Sequence, residues 1–132
     1  MSKRLLYSVL LYLVGAFLDT VTTCYNVFVS GEYYEANPFN KYFIYNYPPW
    51  IWFARDCLFL VVILLTTIGL CWSLKIIAKK TKMYKIPMYA EKYSWIIVFI
   101  PAIIKLTAFI HNMLLWYGIE TPIISIYSLF YK

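Results

Sequence analysis

The chain has 132 residues, 63% of them hydrophobic and 21% aromatic, with 14% charged, a mean hydropathy of +0.67 and a net charge of +6. A soluble domain of this length has too little interior to hide that much apolar surface, so composition excludes one and points to an integral membrane protein. The positive charge is not a nucleic-acid surface. Six lysines (Lys75, Lys79, Lys80, Lys82, Lys85 and Lys92) fall between two apolar runs, the pattern of a cytoplasmic loop, where they also meet anionic lipid headgroups.

A bilayer core of about 30 Å requires around 20 helical residues. The first stretch that qualifies is residues 5–29, behind Lys3 and Arg4. No small-residue cleavage site follows it, so it reads as an uncleaved span that stops at Ser30 and Gly31. Asp19 lies within it and shares a helical stripe with Thr22, Thr23 and Asn26. A carboxylate at membrane depth costs roughly 2.5–3.5 kcal/mol on insertion scales, so Asp19 calls for a compensating partner.

The next segment carries Lys41 against Glu32 and Glu35 and is expected to face outward. Asn37 and Pro38 form a helix-start signature. Phe39, Tyr42, Phe43 and Asn46 follow at helical spacing, which predicts a short interfacial helix over residues 38–45. Pro48 and Pro49 then open a second span, residues 50–74, anchored by Trp50 and Trp52 and carrying Arg55 and Asp56 near its outer end. The third span, residues 93–119, holds Pro101, which is expected to kink it, then Lys105 near mid-membrane and His111 and Asn112 near its outer end. Thr121 and Pro122 suggest a short interfacial helix over residues 122–131. The expected architecture is all-α, one domain of residues 1–132, with three spans, the amino terminus inside and the carboxyl terminus outside.

Depth turns scattered polar residues into a cluster. Asp19 is about 21 Å above the inner boundary and Arg55 and Asp56 about 8 Å below the outer one. Asp19, Thr22, Thr23, Asn26, Arg55, Asp56, His111 and Asn112 therefore share one stratum beneath Glu35 and Asn37, with Lys105 deeper. Arg55 is the first-choice partner for Asp19 and Lys105 the second, with stacking of Arg55 on Trp52 as an alternative fate. The charges balance, which favours interhelical bonding over chemistry. Asp19, Glu35, Asp56 and His111 also offer carboxylate and imidazole ligands for a metal or an acid–base set, but without any motif spacing that requires one. Cys24, Cys57 and Cys71 lie in apolar runs and read as small hydrophobes. No cofactor fingerprint is present.

The run Asp19-x-x-Thr22-Thr23 followed by Gly31-x-x-x-Glu35-x-Asn37-Pro38 resembles the leading motif of a family of small prokaryotic integral-membrane proteins of unknown function. The likeness covers the first third of the chain, with Lys105 and Asn112 matching later polar positions. It implies that Asp19, Thr23, Glu35 and Asn37 act as one unit and names no chemistry. The chain departs from that family in its three-span count and its tyrosine-rich outer loop. Its Ile, Tyr and Lys richness has an archaeal, thermophilic cast.

The expected role is a non-catalytic subunit or scaffold in the cell membrane, in contact with lipids and with other subunits or copies of itself, and not with nucleic acid. The alternatives are a membrane-embedded enzyme or metal-binding protein with its site in the outer third, and an ion or proton conductor built from several copies.

Overall fold

The computed structural model describes residues 2–30 and 38–119. All regular structure in these residues is helical: α1 (Lys3–Cys24), a π-helical extension (Tyr25–Ser30), α2 (Pro38–Asn46), α3 (Pro49–Thr81), α4 (Lys85–Tyr93) and α5 (Trp95–Leu115). Three segments are long and apolar enough to cross a membrane: Lys3–Ser30, Pro49–Thr81 and Lys85–Leu115. The helix suggested for residues 122–131 lies outside the described residues, as do Glu35 and Asn37.

Local chemistry sets the ends. The Ser2 hydroxyl accepts a hydrogen bond from the Leu5 amide and caps α1. Pro49 occupies the first turn of α3, where its missing N–H costs nothing. The second span is longer than its apolar stretch indicates. The helix continues past Leu74 to Thr81, because Lys75, Lys79 and Lys80 are good helix formers and nothing interrupts them. It ends at Lys82, whose φ of 59° is left-handed. The lysine-rich connection is therefore mostly helical, its second part being α4, which Lys75 ties to α3 by a 2.5 Å ion pair with Glu91. The third helix runs through Pro101 without ending. Helix α2 forms where the Asn37–Pro38 signature places it.

Helices α1 and α5 run parallel and touch along their whole length. Arg4 lies over Trp95 at one end, Gly15 backs onto Lys105 and Leu106 in the middle, and Asn26 meets Asn112 and Trp116 at the other. The buried residues of α1 are Ser8, Tyr12, Gly15, Ala16 and Thr22, of which Gly15 lets the α5 backbone approach and Tyr12 reaches across to α3. Tyr12, Ala16, Leu60, Val98 and Ala102 form the buried core. Helix α3 is antiparallel to both, and its buried residues are few: Trp52, Asp56, Leu60, Thr67 and Ala78. Most of its surface, including Leu58, Val62, Leu65, Ile68 and Trp72, is exposed.

Gly15 is the tightest point of the α1–α5 seam. A Cβ there would stand 3.2 Å from the Lys105 Cβ and 3.3 Å from the Leu106 amide nitrogen, whereas one at Gly69 would meet nothing within 4 Å. Gly15→Val is expected to destabilise the bundle by about 1–3 kcal/mol. Gly69→Ala is expected to leave stability at or slightly above the parent. Thermal unfolding in mild detergent measures both, and equal effects would remove the distinction.

Candidate functional site: an interhelical ion network

Three charged side chains, one from each long helix, meet between the helices. The Lys105 ammonium on α5 donates to Asp56 Oδ2 on α3 at 2.6 Å and to Asp19 Oδ2 on α1 at 3.2 Å. Local geometry explains how Lys105 reaches them. Its Cβ packs against Gly15, one helical turn before Asp19, so its four-carbon stem climbs that turn to deliver the ammonium. The three side chains are 9–19% exposed, so they interact in a largely desolvated setting where pairing is strong.

Each carboxylate has further partners. Asp19 Oδ1 accepts from the Asn112 side-chain amide at 3.2 Å. The same Asn112 nitrogen lies 3.2 Å from the Thr22 hydroxyl and 3.0 Å from the Thr23 hydroxyl. The Asp19–Thr22–Thr23 stripe thus converges on one residue of α5. Thr22 also donates back to the Leu18 and Asp19 carbonyls, which orients its oxygen. Asp56 Oδ1 takes a 3.4 Å contact from Arg55, whose other guanidinium arm donates to Asn40 Oδ1 on α2 at 3.1 Å. Arg55 lies over the Phe43 ring, 5.1 Å from its centroid. The Asp56 backbone carbonyl accepts from the buried Tyr12 hydroxyl at 3.1 Å.

The order of Asp19's partners is the reverse of the sequence expectation. Lys105 bonds it directly, while Arg55 pairs with the neighbouring Asp56 and with α2. Sequence depth placed Lys105 too deep because it counted from the backbone and not from the end of the stem. Arg55 lies over Phe43 and not over Trp52, whose ring stacks on Phe28 at 5.9 Å and whose indole N–H donates to the Phe43 and Tyr47 carbonyls at 3.0 and 2.8 Å.

Above the ions lies a neutral layer. Asn26 donates to the Asn112 backbone carbonyl at 3.2 Å and accepts from the Trp116 indole N–H. It sits in the π-helical stretch, whose wider turn nothing in the sequence announces. His111 is partly buried one residue before Asn112, within electrostatic reach of Asp19. Of the expected cluster, the structure brings Asp19, Thr22, Thr23, Asn26, Arg55, Asp56, Lys105 and Asn112 into one bonded network, and leaves Glu35 and Asn37 undescribed. Tyr12, Asn40, Phe43 and Trp116 are partners that sequence reasoning missed. Trp116 reads as a membrane-belt residue, although it is one helical turn beyond Asn112 and therefore on the same face.

Among the described residues, no three His, Cys, Asp or Glu side chains group as a metal site would require, and the one buried side-chain polar atom without a partner is the Trp95 indole nitrogen, at the far end of the bundle. The network's chemistry is thus inward-looking: a cation between two anions, with amides and hydroxyls filling the remaining positions. Compared with models of known protein families, with curated proteins and with solved structures, the chain matches none. The likeness of its Asp19-to-Pro38 motif to a membrane-protein family rests on the motif residues alone.

Removing Lys105 leaves two enclosed carboxylates facing one another. Lys105→Met is expected to cost about 3–5 kcal/mol, and adding Asp19→Asn and Asp56→Asn in the same chain is expected to restore most of it. Unfolding midpoints in detergent for the single and triple variants decide this. A triple variant no better than Lys105→Met would show that charge pairing is not what the lysine supplies.

Proposed function

We propose that this chain is a multi-pass membrane protein that serves as a non-catalytic subunit or scaffold, in a homo-oligomer or a larger membrane complex. One observation carries the reading: the charges in the spans are consumed by each other. Lys105 is shared by Asp19 and Asp56, and Arg55 by Asp56 and Asn40, so among the described residues these charges are turned toward one another rather than toward a substrate. Ion pairs of this kind hold helices together where lipid provides no hydrophobic drive between them. A long helix, α3, meanwhile keeps most of its apolar surface uncovered, which suits contact with lipid or a neighbouring subunit.

In this reading the amino terminus and the lysine-rich α3–α4 connection face the cytoplasm, and α2 and the carboxyl terminus the opposite side. Helix α2 and its aromatic residues lie at the outer interface. A second reading, an oligomeric ion or proton conductor, draws on the 18% and 19% exposure that Asp19 and Lys105 retain. Three helices are too few to enclose a path, so it requires several copies.

The scaffold reading predicts that Asp19→Asn leaves the mass of the assembly in mild detergent unchanged or weakened, with no bound metal lost, because none is held. A monomeric particle carrying stoichiometric metal, or a vesicle proton flux abolished by Asp19→Asn with assembly intact, would overturn it. For topology, a cysteine replacing Lys80 is expected to resist an impermeant maleimide applied to intact cells and to react after lysis. Labelling from outside inverts the orientation.

A further inference from the structure

The end of the bundle opposite the ion network is built differently. Lys3 and Arg4 begin α1 there, Lys75, Lys79 and Lys80 end α3, and Lys82, Lys85 and Lys92 belong to the connection and α4. Against these eight cations the described residues offer one carboxylate at that end, Glu91, which is already paired with Lys75. The excess charge is thus uncompensated within the described protein and concentrated at one level.

A groove opens at the same level between the first turns of α1 and α5, with a volume of about 280 Å³. Arg4, Tyr7, Ser8, Trp95 and Phe99 line it. Its walls are nearly all carbon: the Trp95 and Phe99 rings meet edge to face at 5.5 Å, and the Ser8 hydroxyl is turned away to the Arg4 carbonyl. Its rim is charged, with the Arg4 guanidinium 5.9 Å from the Trp95 ring centroid and no carboxylate beside it among the described residues. On α4, Ile86, Met88 and Tyr89 are exposed on the same side as Lys85 and Lys92, so apolar and cationic side chains share that surface.

An apolar slot under a cationic rim fits one kind of occupant, a molecule with a hydrocarbon chain and an anionic head. We propose that this groove holds an anionic phospholipid, its acyl chain against Tyr7, Trp95 and Phe99 and its phosphate against Arg4, with the lysines around it drawing the same headgroups more loosely. The guanidinium suits this place because its planar fork takes two phosphate oxygens at once and tolerates partial desolvation, where a lysine offers a point charge. The assignment rests on the long helices crossing a bilayer. Alkaline carbonate extraction tests that separately: release from membranes would remove the bilayer, whereas failure to bind lipid in a chain that resists extraction would remove only the site.

The test is native mass spectrometry of the detergent-purified chain titrated with phosphatidylglycerol, phosphatidylcholine or inorganic phosphate. The parent is expected to retain one phosphatidylglycerol, to bind phosphatidylcholine about tenfold less well, and to keep its lipid in the presence of inorganic phosphate. Arg4→Gln is expected to weaken retention about tenfold, with Arg4→Lys intermediate and Lys79→Gln with Lys80→Gln close to the parent. Tyr7→Glu places a carboxylate at an exposed position of the groove and is expected to expel the lipid, giving a second reading should Arg4→Gln fail to accumulate. Equal retention of the two lipids, no effect of Arg4→Gln or Tyr7→Glu, or equal losses in Arg4→Gln and the double lysine variant would overturn the site. Displacement by inorganic phosphate would replace the lipid with a free anion and overturn it as well.

Discussion

Among the described residues, the Lys105 ammonium is the charged group that bonds to both of the other long helices. Helices α1 and α5 have a continuous seam of small and apolar residues and would associate without it. Helix α3 does not. Its buried residues are spread thinly along a 33-residue helix, and near its N-terminal end they include Asp56, whose carboxylate reaches Lys105 and whose carbonyl takes the Tyr12 hydroxyl. A carboxylate placed at that depth without a partner is costly, so the favourable state of α3 is the one docked against α1 and α5 together. The same reasoning applies to Asp19 from the other side. The two carboxylates share one ammonium while Arg55 supplies the second positive charge through Asp56, and this geometry specifies how the spans are arranged.

That arrangement depends on a glycine. Lys105 reaches Asp19 because its backbone lies level with Gly15, where the missing side chain admits the base of the lysine stem. Packing and electrostatics are thus coupled: a bulkier residue at position 15 would separate α1 from α5 and lengthen the ion pairs together. The neutral layer above extends the logic without charge. Asn112 collects Asp19, Thr22 and Thr23, and Asn26 joins Asn112 to Trp116, so the polar stripe of the first span is met by polar groups of α5 from Asp19 to Asn26.

Much of this was legible in the sequence, for physical reasons. The three long apolar segments, the helix start at Pro38 and the stripe Asp19–Thr22–Thr23–Asn26 follow from length, proline chemistry and helical period. The membership of the polar cluster follows from counting residues from each boundary. What counting missed was the reach of side chains and the detail of turns. Lys105 sits a turn below the carboxylate it serves, and only its stem corrects that. Depth alone pairs Arg55 with Asp19, but Arg55 is adjacent to Asp56 and finds Asn40 on a separate short helix, a contact that no periodicity reveals. The π-helical turn at Asn26 and the continuation of α3 through its lysines were hidden for opposite reasons. The first has no residue signature, and the second extends a helix beyond the point where hydropathy stops reporting it.

The two ends of the bundle then differ in a way that bears on how so small a chain keeps its depth. At one end Trp52 and Arg55 hold α2 down onto α3 through backbone carbonyls, Asn40 and the Phe43 ring. At the other, cations outnumber carboxylates and remain open. Charged groups that the protein does not neutralise must be met by water, by headgroups or by a partner, whereas those it does neutralise contribute to its own fold. Among the described residues, the charges between the helices are paired, and most of the cations without a carboxylate gather at one edge. The interior network fixes the shape of the bundle, and the uncompensated edge sets how that shape meets its surroundings.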